Sequence, residues 1–114
     1  MQWRQVRYFC DYEVSDSGLV RSRERYIYRQ MRDGSSRRKL IPERVLKPAT
    51  AAGGYLFVDL RRNKASFNKR IHHLVAEAFI GDRPKGMVVH HIDGNKQNNN
   101  ATNLEYLTHY HIRS

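Results

Sequence analysis

Two adjacent histidines, His90 and His91, close a short apolar run, and a loop rich in Asn and Gly follows them. Asn103 then begins a second apolar run, and two further histidines, His109 and His111, come just after it. A neutral imidazole binds divalent metals, and an imidazole with a pKa near ~6.5 can accept a proton from water at neutral pH. The ordered set therefore indicates metal-assisted hydrolysis of a phosphodiester.

This chemistry needs an activated water, neutralisation of charge in the transition state and help for the leaving 3′ oxygen. One divalent ion can supply the last two, and a histidine the first. Adjacent residues of a strand face opposite ways, so His90 and His91 converge only where the strand ends or kinks. Gly94 and the Asn run that follows are suited to such an ending.

The net charge of +10 lies entirely in the first part of the chain. Residues 1–70 hold 17 Lys and Arg against 7 Asp and Glu, whereas residues 71–114 hold 4 against 4 and contain all six histidines. A basic region is what binding to a phosphate backbone requires. A solvated basic face or an anionic membrane surface is the alternative, but the sequence has no amphipathic basic helix with an aromatic face.

Length and composition set further bounds. A chain of 114 residues with 39% apolar residues predicts one domain, or two small lobes that share a modest core. The single cysteine, Cys10, excludes an internal disulfide and a four-cysteine zinc site. No run approaches the ~18 apolar residues of a membrane span, and the first residues do not resemble a signal peptide. We therefore expect a cytoplasmic protein.

The pattern of residues predicts an α+β fold. A basic, β-rich region covers residues 1–70, and a helix with the histidine motif covers 71–114. Apolar residues at i, i+3, i+4, i+7 and i+8 predict a helix over Ile71–Phe79, and Asp16–Gly18 is typical of a hairpin turn. Thr108 is a candidate N-cap for a last helix. The predicted strands are Trp3–Tyr8, Tyr12–Ser15, Leu19–Ser22, Arg44–Lys47, Tyr55–Leu60, Phe67–Arg70, Val88–His90 and Leu104–Leu107.

Residues 88–108 resemble the HNH endonucleases, whose ββα-metal active site has a histidine pair at the end of its first strand. The segment Ile71–Phe79 is similar to the helix before this motif in homing-type members encoded by phages and introns. Tyr12–Ser15 with Gly18–Ser22 resembles the nuclease-associated modular domain often fused in front of it. The resemblance covers most of the chain and is weakest over residues 23–43.

The resemblance implies a role for each motif residue. His91 would be the general base that activates water, and His90 would be a metal ligand at a position that is often Asp or Glu in relatives. Asn103 would brace the loop and help to hold the base in position. The ion is expected to be a single Mg²⁺, although imidazole ligands also suit Mn²⁺, Ni²⁺ or Zn²⁺.

The chain departs from the family pattern at the third metal ligand. That ligand lies nine residues after the middle Asn, where this chain has Ile112, which cannot bind a metal. We expect His111 to take the role if the start of the last helix is shifted. Otherwise water or a DNA phosphate fills the position, the site is impaired, or the rest of the helix is missing.

Three other residues could each have either a structural or a functional role. Asp93 is expected to cap the loop as an Asx turn rather than to bind metal. His72 and His73 open the predicted helix, where either is more often structural than a phosphate contact.

The basic region is expected to contact double-stranded DNA, either along the backbone or as a β-ribbon in the major groove. The sequence thus predicts a metal-dependent HNH DNA endonuclease; the alternative is a DNA-binding protein with a degenerate or truncated, inactive nuclease site. Whether the protein is a monomer or a homodimer is left open. The residues expected to bind DNA are Arg21, Arg23, Arg25, Arg29, Arg61, Arg62 and Lys64.

Overall fold

The computed structural model describes residues 1–108 and has an α+β fold, as the sequence predicts. Its one α-helix within that range is α1, Ile71–Phe79. The strands are β1 (Trp3–Val6), β2 (Phe9–Ser15), β3 (Val20–Ser22), β4 (Arg25–Gln30), β5 (Ser36–Ile41), β6 (Arg44–Val45), β7 (Ala49–Thr50), β8 (Leu56–Arg62), β9 (Ala65–Arg70), β10 (Met87–His91) and β11 (Leu104–Thr108).

The strands form four antiparallel sheets. β1, β2, β3 and β6 form one sheet in that order, and β7, β8 and β9 form a second. β4 pairs only with β5, and β10 only with β11, among the strands that the structure describes. The molecule is elongated, with extents of 65 × 26 × 24 Å over these residues.

A single core joins the two regions that the sequence distinguishes. Val14, Val20 and Leu60 from the sheets pack with Ile71 and Val75 of α1, and each of these side chains is at most 2% exposed. Because the core crosses residue 70, the β-rich region and the histidine motif share one hydrophobic interior. The helix periodicity is confirmed, since α1 turns its predicted apolar face into this core.

Two hairpin turns follow the local sequence. Between β2 and β3, the Ser15 N–H donates to the carbonyl of Leu19 at 2.8 Å, and Gly18 has a φ of +92°, which favours glycine. Between β8 and β9, Asn63 and Lys64 both have positive φ, as in a two-residue type I′ turn.

Some predicted strands have different bounds in the structure. The first strand was predicted to reach Tyr8 but ends at Val6. Arg7 and Tyr8 form a turn instead, in which Tyr8 has a φ of +67°. Residues 44–47 contribute only the two-residue strand β6. The basic segment after Arg21 holds the hairpin of β4 and β5. Its turn closes with the Met31 N–H donating to the Ser35 carbonyl at 2.7 Å.

No helix within residues 1–108 is long and apolar enough to cross a membrane. Thr108 is the last residue of β11, and the helix that it was expected to cap lies outside the described residues.

Candidate active site

The hairpin of β10 and β11 carries the histidine pair at its loop end. His90 pairs with Glu105 and His91 with Leu104, and the Asn-rich loop connects the two strands. β10 ends at His91, so both histidines lie within the paired strand and their side chains face opposite ways. His90 is half-buried, whereas His91 is only 6% exposed. The pair therefore presents one accessible imidazole and one held within the protein.

His91 is fixed by a side chain from the loop. Its Nε2 lies 2.8 Å from Oδ1 of Asn99, which is itself only 3% exposed. Nδ1 of His91 makes no hydrogen bond to residues 1–108. One ring nitrogen is thus engaged by the protein, and the other remains available for chemistry.

The rings of Tyr55 and His72 flank His91, with centroids 6.1 and 5.1 Å from it. Burial lowers the pKa of His72 to about 3, with smaller contributions from His73 and His91. His72 is therefore neutral at pH 7. His72 is also only 6% exposed, which supports a structural role rather than contact with a phosphate.

Asn103 makes three hydrogen bonds within the loop. Its Nδ2 donates to Oδ1 of Asp93 and to the carbonyl of Asn98, both at 2.9 Å, and its Oδ1 accepts from the Asp93 N–H at 3.1 Å. The Asn95 N–H donates to the Asp93 carboxylate at 2.8 Å, which is the expected Asx turn. Within residues 1–108 the side chain that shares a hydrogen bond with His91 is that of Asn99, so any effect of Asn103 on His91 is indirect, through the conformation of the loop.

Replacement of Asn103 by alanine is expected to raise the pKa of Asp93 toward its ordinary value of ~3.9. Hydrogen bonds from Asn98, from the Asn95 N–H and from Asn103 now hold that pKa lower. Because the folded-state pKa is depressed, these bonds stabilise the loop above the unfolded-state pKa, and the benefit is lost as pH falls through the folded-state pKa. A carboxyl ¹³C NMR titration of both proteins measures the shift; identical pKa values would contradict the bracing role.

His90 is the one expected metal ligand that lies within the described residues. Within residues 1–108, no three His, Cys, Asp or Glu side chains lie together so that they could hold a metal ion. The imidazole of His90 makes no hydrogen bond to other residues in this range, so neither ring nitrogen is engaged by them. His109, His111 and Ile112 lie outside the described residues, so the expected role of His111 stays a prediction.

Among the residues expected to bind DNA, Arg21 is already engaged in contacts with other side chains of the protein. Its guanidinium lies 3.9 Å from the ring centroid of Trp3 and donates to Glu13 at 3.0 Å and Glu43 at 3.3 Å. Its side chain is 22% exposed. These contacts join β3 to β1, to β2 and to the residue before β6, and Arg21 is therefore not part of the proposed DNA face.

The other predicted DNA contacts are more accessible. Arg23 donates to the carbonyl of Cys10 at 3.4 Å, Arg25 lies 3.8 Å from Asp11, and Arg62 donates to the carbonyl of Tyr8 at 2.9 Å. Three exposed side chains make no hydrogen bond or ion pair with residues 1–108, namely Arg29, Arg61 and Lys64.

Sequence reasoning did not single out Asn99 or Tyr55 as parts of the site. Asn98, Asn99 and Asn100 are chemically identical, and only the fold shows that the middle one is buried. A motif spacing does not carry that information.

Comparisons with known proteins agree with this architecture. The profile of an HNH endonuclease family matches residues 69–112, and the profile of the NUMOD4 motif matches residues 1–61. HNH endonucleases generally use a divalent metal ion. An uncharacterised HNH endonuclease of Acanthamoeba polyphaga mimivirus is 33% identical over 110 residues, which are 96% of this chain and 28% of the relative.

DNA endonuclease I-HmuI of Bacillus phage SP01 is 31% identical over 109 residues, 95% of this chain and 53% of the relative. The solved structure that describes DNA binding and cleavage by I-HmuI matches with a TM-score of 0.76 and 29% identity. The match covers 99% of this chain and 56% of that chain. The present chain thus spans about half of I-HmuI or less than a third of the viral relative. The chain thus belongs to the proteins that carry a NUMOD4 motif, here over residues 1–61, in front of an HNH endonuclease motif, here over residues 69–112.

Proposed function

We propose that this chain is a metal-dependent DNA endonuclease of the homing type. The observation that carries the proposal is the histidine pair at the end of β10, with His91 buried and fixed by Asn99 while His90 is free of protein hydrogen bonds within residues 1–108. The similarity to I-HmuI across nearly the whole chain supports the same conclusion. DNA inside a cell is the natural substrate for such an enzyme.

The proposed roles follow from the position of each side chain. His91 would accept a proton from the attacking water through the ring nitrogen that Asn99 does not engage. His90 would be one ligand of a divalent ion, which we propose is Mg²⁺, although imidazole also suits Mn²⁺, Ni²⁺ or Zn²⁺. When bound, such an ion neutralises charge on the phosphate and assists the leaving oxygen. Asn103 would keep the loop in the conformation that holds Asn99 against His91.

The hairpin of β4 and β5 supports binding to double-stranded DNA. Arg29 lies directly opposite Arg37, and Lys39 lies on the same face of the ribbon. Like charges directly opposite each other destabilise a hairpin, so an anionic partner on this face relieves the repulsion. We propose that this face contacts the phosphate backbone, with Arg61 and Lys64 of the β8–β9 hairpin as a second contact.

Replacement of Arg29 by glutamate is expected to weaken DNA binding and to reduce the slope of log Kd against log salt by about 1 for each phosphate that is no longer neutralised. The matched control is Lys85→Glu, because Lys85 is an exposed cation outside the ribbon and the change in net charge is the same. Fluorescence anisotropy with duplex DNA over a range of salt concentrations measures both. Equal effects of the two changes would move the binding face away from the ribbon.

Incubation of supercoiled DNA with the chain in Mg²⁺ or in EDTA tests the activity, and His90→Ala tests the ligand. We expect cleavage in Mg²⁺ alone and a higher Mg²⁺ requirement in His90→Ala. Salt-sensitive binding without cleavage would favour the DNA-binding alternative with an inactive nuclease site.

A further inference from the structure

The contact between His91 and Asn99 has a defined polarity. The oxygen Oδ1 of Asn99 faces Nε2 of His91 at 2.8 Å, and a carbonyl oxygen only accepts hydrogen bonds. With the amide in this orientation, Nε2 carries the proton when the ring is neutral, and the lone pair is on Nδ1. This is the arrangement that a base acting through Nδ1 requires.

The other half of the Asn99 amide makes no comparable contact. Its Nδ2 is buried and has no hydrogen-bond partner among the described residues. A buried NH₂ without a partner destabilises a fold, so stability alone does not explain an amide at this position. Local rules of this kind are most often broken at functional sites.

Asn99 also packs against the β-rich region. A Cβ added to Gly18 would lie 3.0 Å from Cβ and 3.2 Å from the carbonyl oxygen of Asn99. Close by, the Ala101 N–H donates to the carbonyl of Asp16 at 2.7 Å. The turn between β2 and β3 thus packs directly against the loop that holds Asn99.

We propose that Asn99 is a positioning residue for His91, and that the Asp16–Gly18 turn holds Asn99 in place. The NUMOD4 region then sets the orientation of the proposed base as well as contributing to DNA binding. This inference rests on the proposed role of His91, although its geometric part can be measured without any cleavage.

The first test is the tautomer of His91, read from two-bond ¹H–¹⁵N correlation spectra of the metal-free chain, with the His91 signals assigned by their absence in His91→Ala. The proposal predicts the Nε2–H tautomer in the wild type. It predicts the same tautomer in Asn99→Asp, which keeps the acceptor oxygen, and a mixture in Asn99→Leu, which removes it. An Nδ1–H tautomer in the wild type would overturn the proposal, even if Asn99→Leu fails to fold.

The second test separates catalysis from binding. Asn99→Leu is expected to lower the single-turnover rate of cleavage of supercoiled DNA by about 10- to 100-fold, the range for removing a partner that orients a functional histidine. Its Kd for DNA should stay as in the wild type, and Asn99→Asp should recover cleavage. An unchanged rate and tautomer in Asn99→Leu would overturn the positioning role. A wild-type chain that does not cleave would instead refute the proposed function, while the spectra would still decide the role of Asn99.

The third test addresses the turn, and the chain offers a matched control. Gly18 and Gly34 both lie in hairpin turns with φ of +92° and +86°, but a Cβ at Gly34 would meet nothing within 4 Å. Gly18→Ala is expected to change the His91 tautomer as Asn99→Leu does, whereas Gly34→Ala should leave it unchanged. The same His91 spectrum in both alanine variants would overturn the role of the turn.

Discussion

His91→Ala is expected to lower the rate of metal-dependent DNA cleavage by about 10²- to 10⁴-fold, the usual contribution of a well-placed general base. The affinity for DNA should change little, because the basic side chains of the ribbon lie on other elements. Single-turnover cleavage and fluorescence anisotropy on the same preparations measure the two quantities. Cleavage that survives in a folded His91→Ala protein would show that the base has been assigned wrongly.

Since His91 is buried, loss of folding has to be separated from loss of chemistry. His73→Ala is a suitable control, because His73 contacts His72 with a centroid distance of 4.3 Å, as His91 does at 5.1 Å, but lies outside the proposed pair. We expect it to retain most of the cleavage activity. Thermal unfolding of both variants shows whether the fold is kept.

Leu60→Ala is expected to lower the free energy of unfolding by about 2–5 kcal/mol, as for other fully buried leucines. Leu60 is 0% exposed and packs in the core shared with α1. Leu40→Ala is the matched control, because Leu40 is 43% exposed on β5 and should cost much less. Urea denaturation gives both values. Similar costs at the two positions would contradict the placement of the core.

The shared core also predicts one cooperative transition. Trp3, the sole tryptophan, reports on β1 by its fluorescence, and NMR signals of β10 report on the histidine hairpin. Both probes should give the same unfolding midpoint in urea. Two separate midpoints would show that residues 1–70 and the histidine motif unfold independently.

The elements that the sequence predicted well have one buried side. The helix Ile71–Phe79 has the predicted bounds, because its apolar residues repeat with the helical period and face a single core. β10 and β11 were predicted to within a residue or two for a similar reason, since a short apolar run ends at a turn-forming loop.

The bounds of β4 and β5 were not predicted, because most side chains of this hairpin are exposed and no alternation of apolar residues marks its strands. The engagement of Arg21 by Glu13 and Glu43 depends on strands that meet only in the folded sheet. Asn99 is a comparable case, because its role follows from packing against the Asp16–Gly18 turn, which is distant in sequence. Such pairings depend on tertiary structure and leave no local pattern.

The most direct test of the central claim is single-turnover incubation of supercoiled DNA with the purified chain, in Mg²⁺ and in EDTA, followed by analysis of the new DNA ends. We predict nicked or linear DNA in Mg²⁺ alone, with 3′-hydroxyl and 5′-phosphate ends, because the 3′ oxygen is the leaving group in the proposed hydrolysis. DNA that stays supercoiled in Mg²⁺, Mn²⁺ and the other candidate ions while the chain is bound to it would contradict the account.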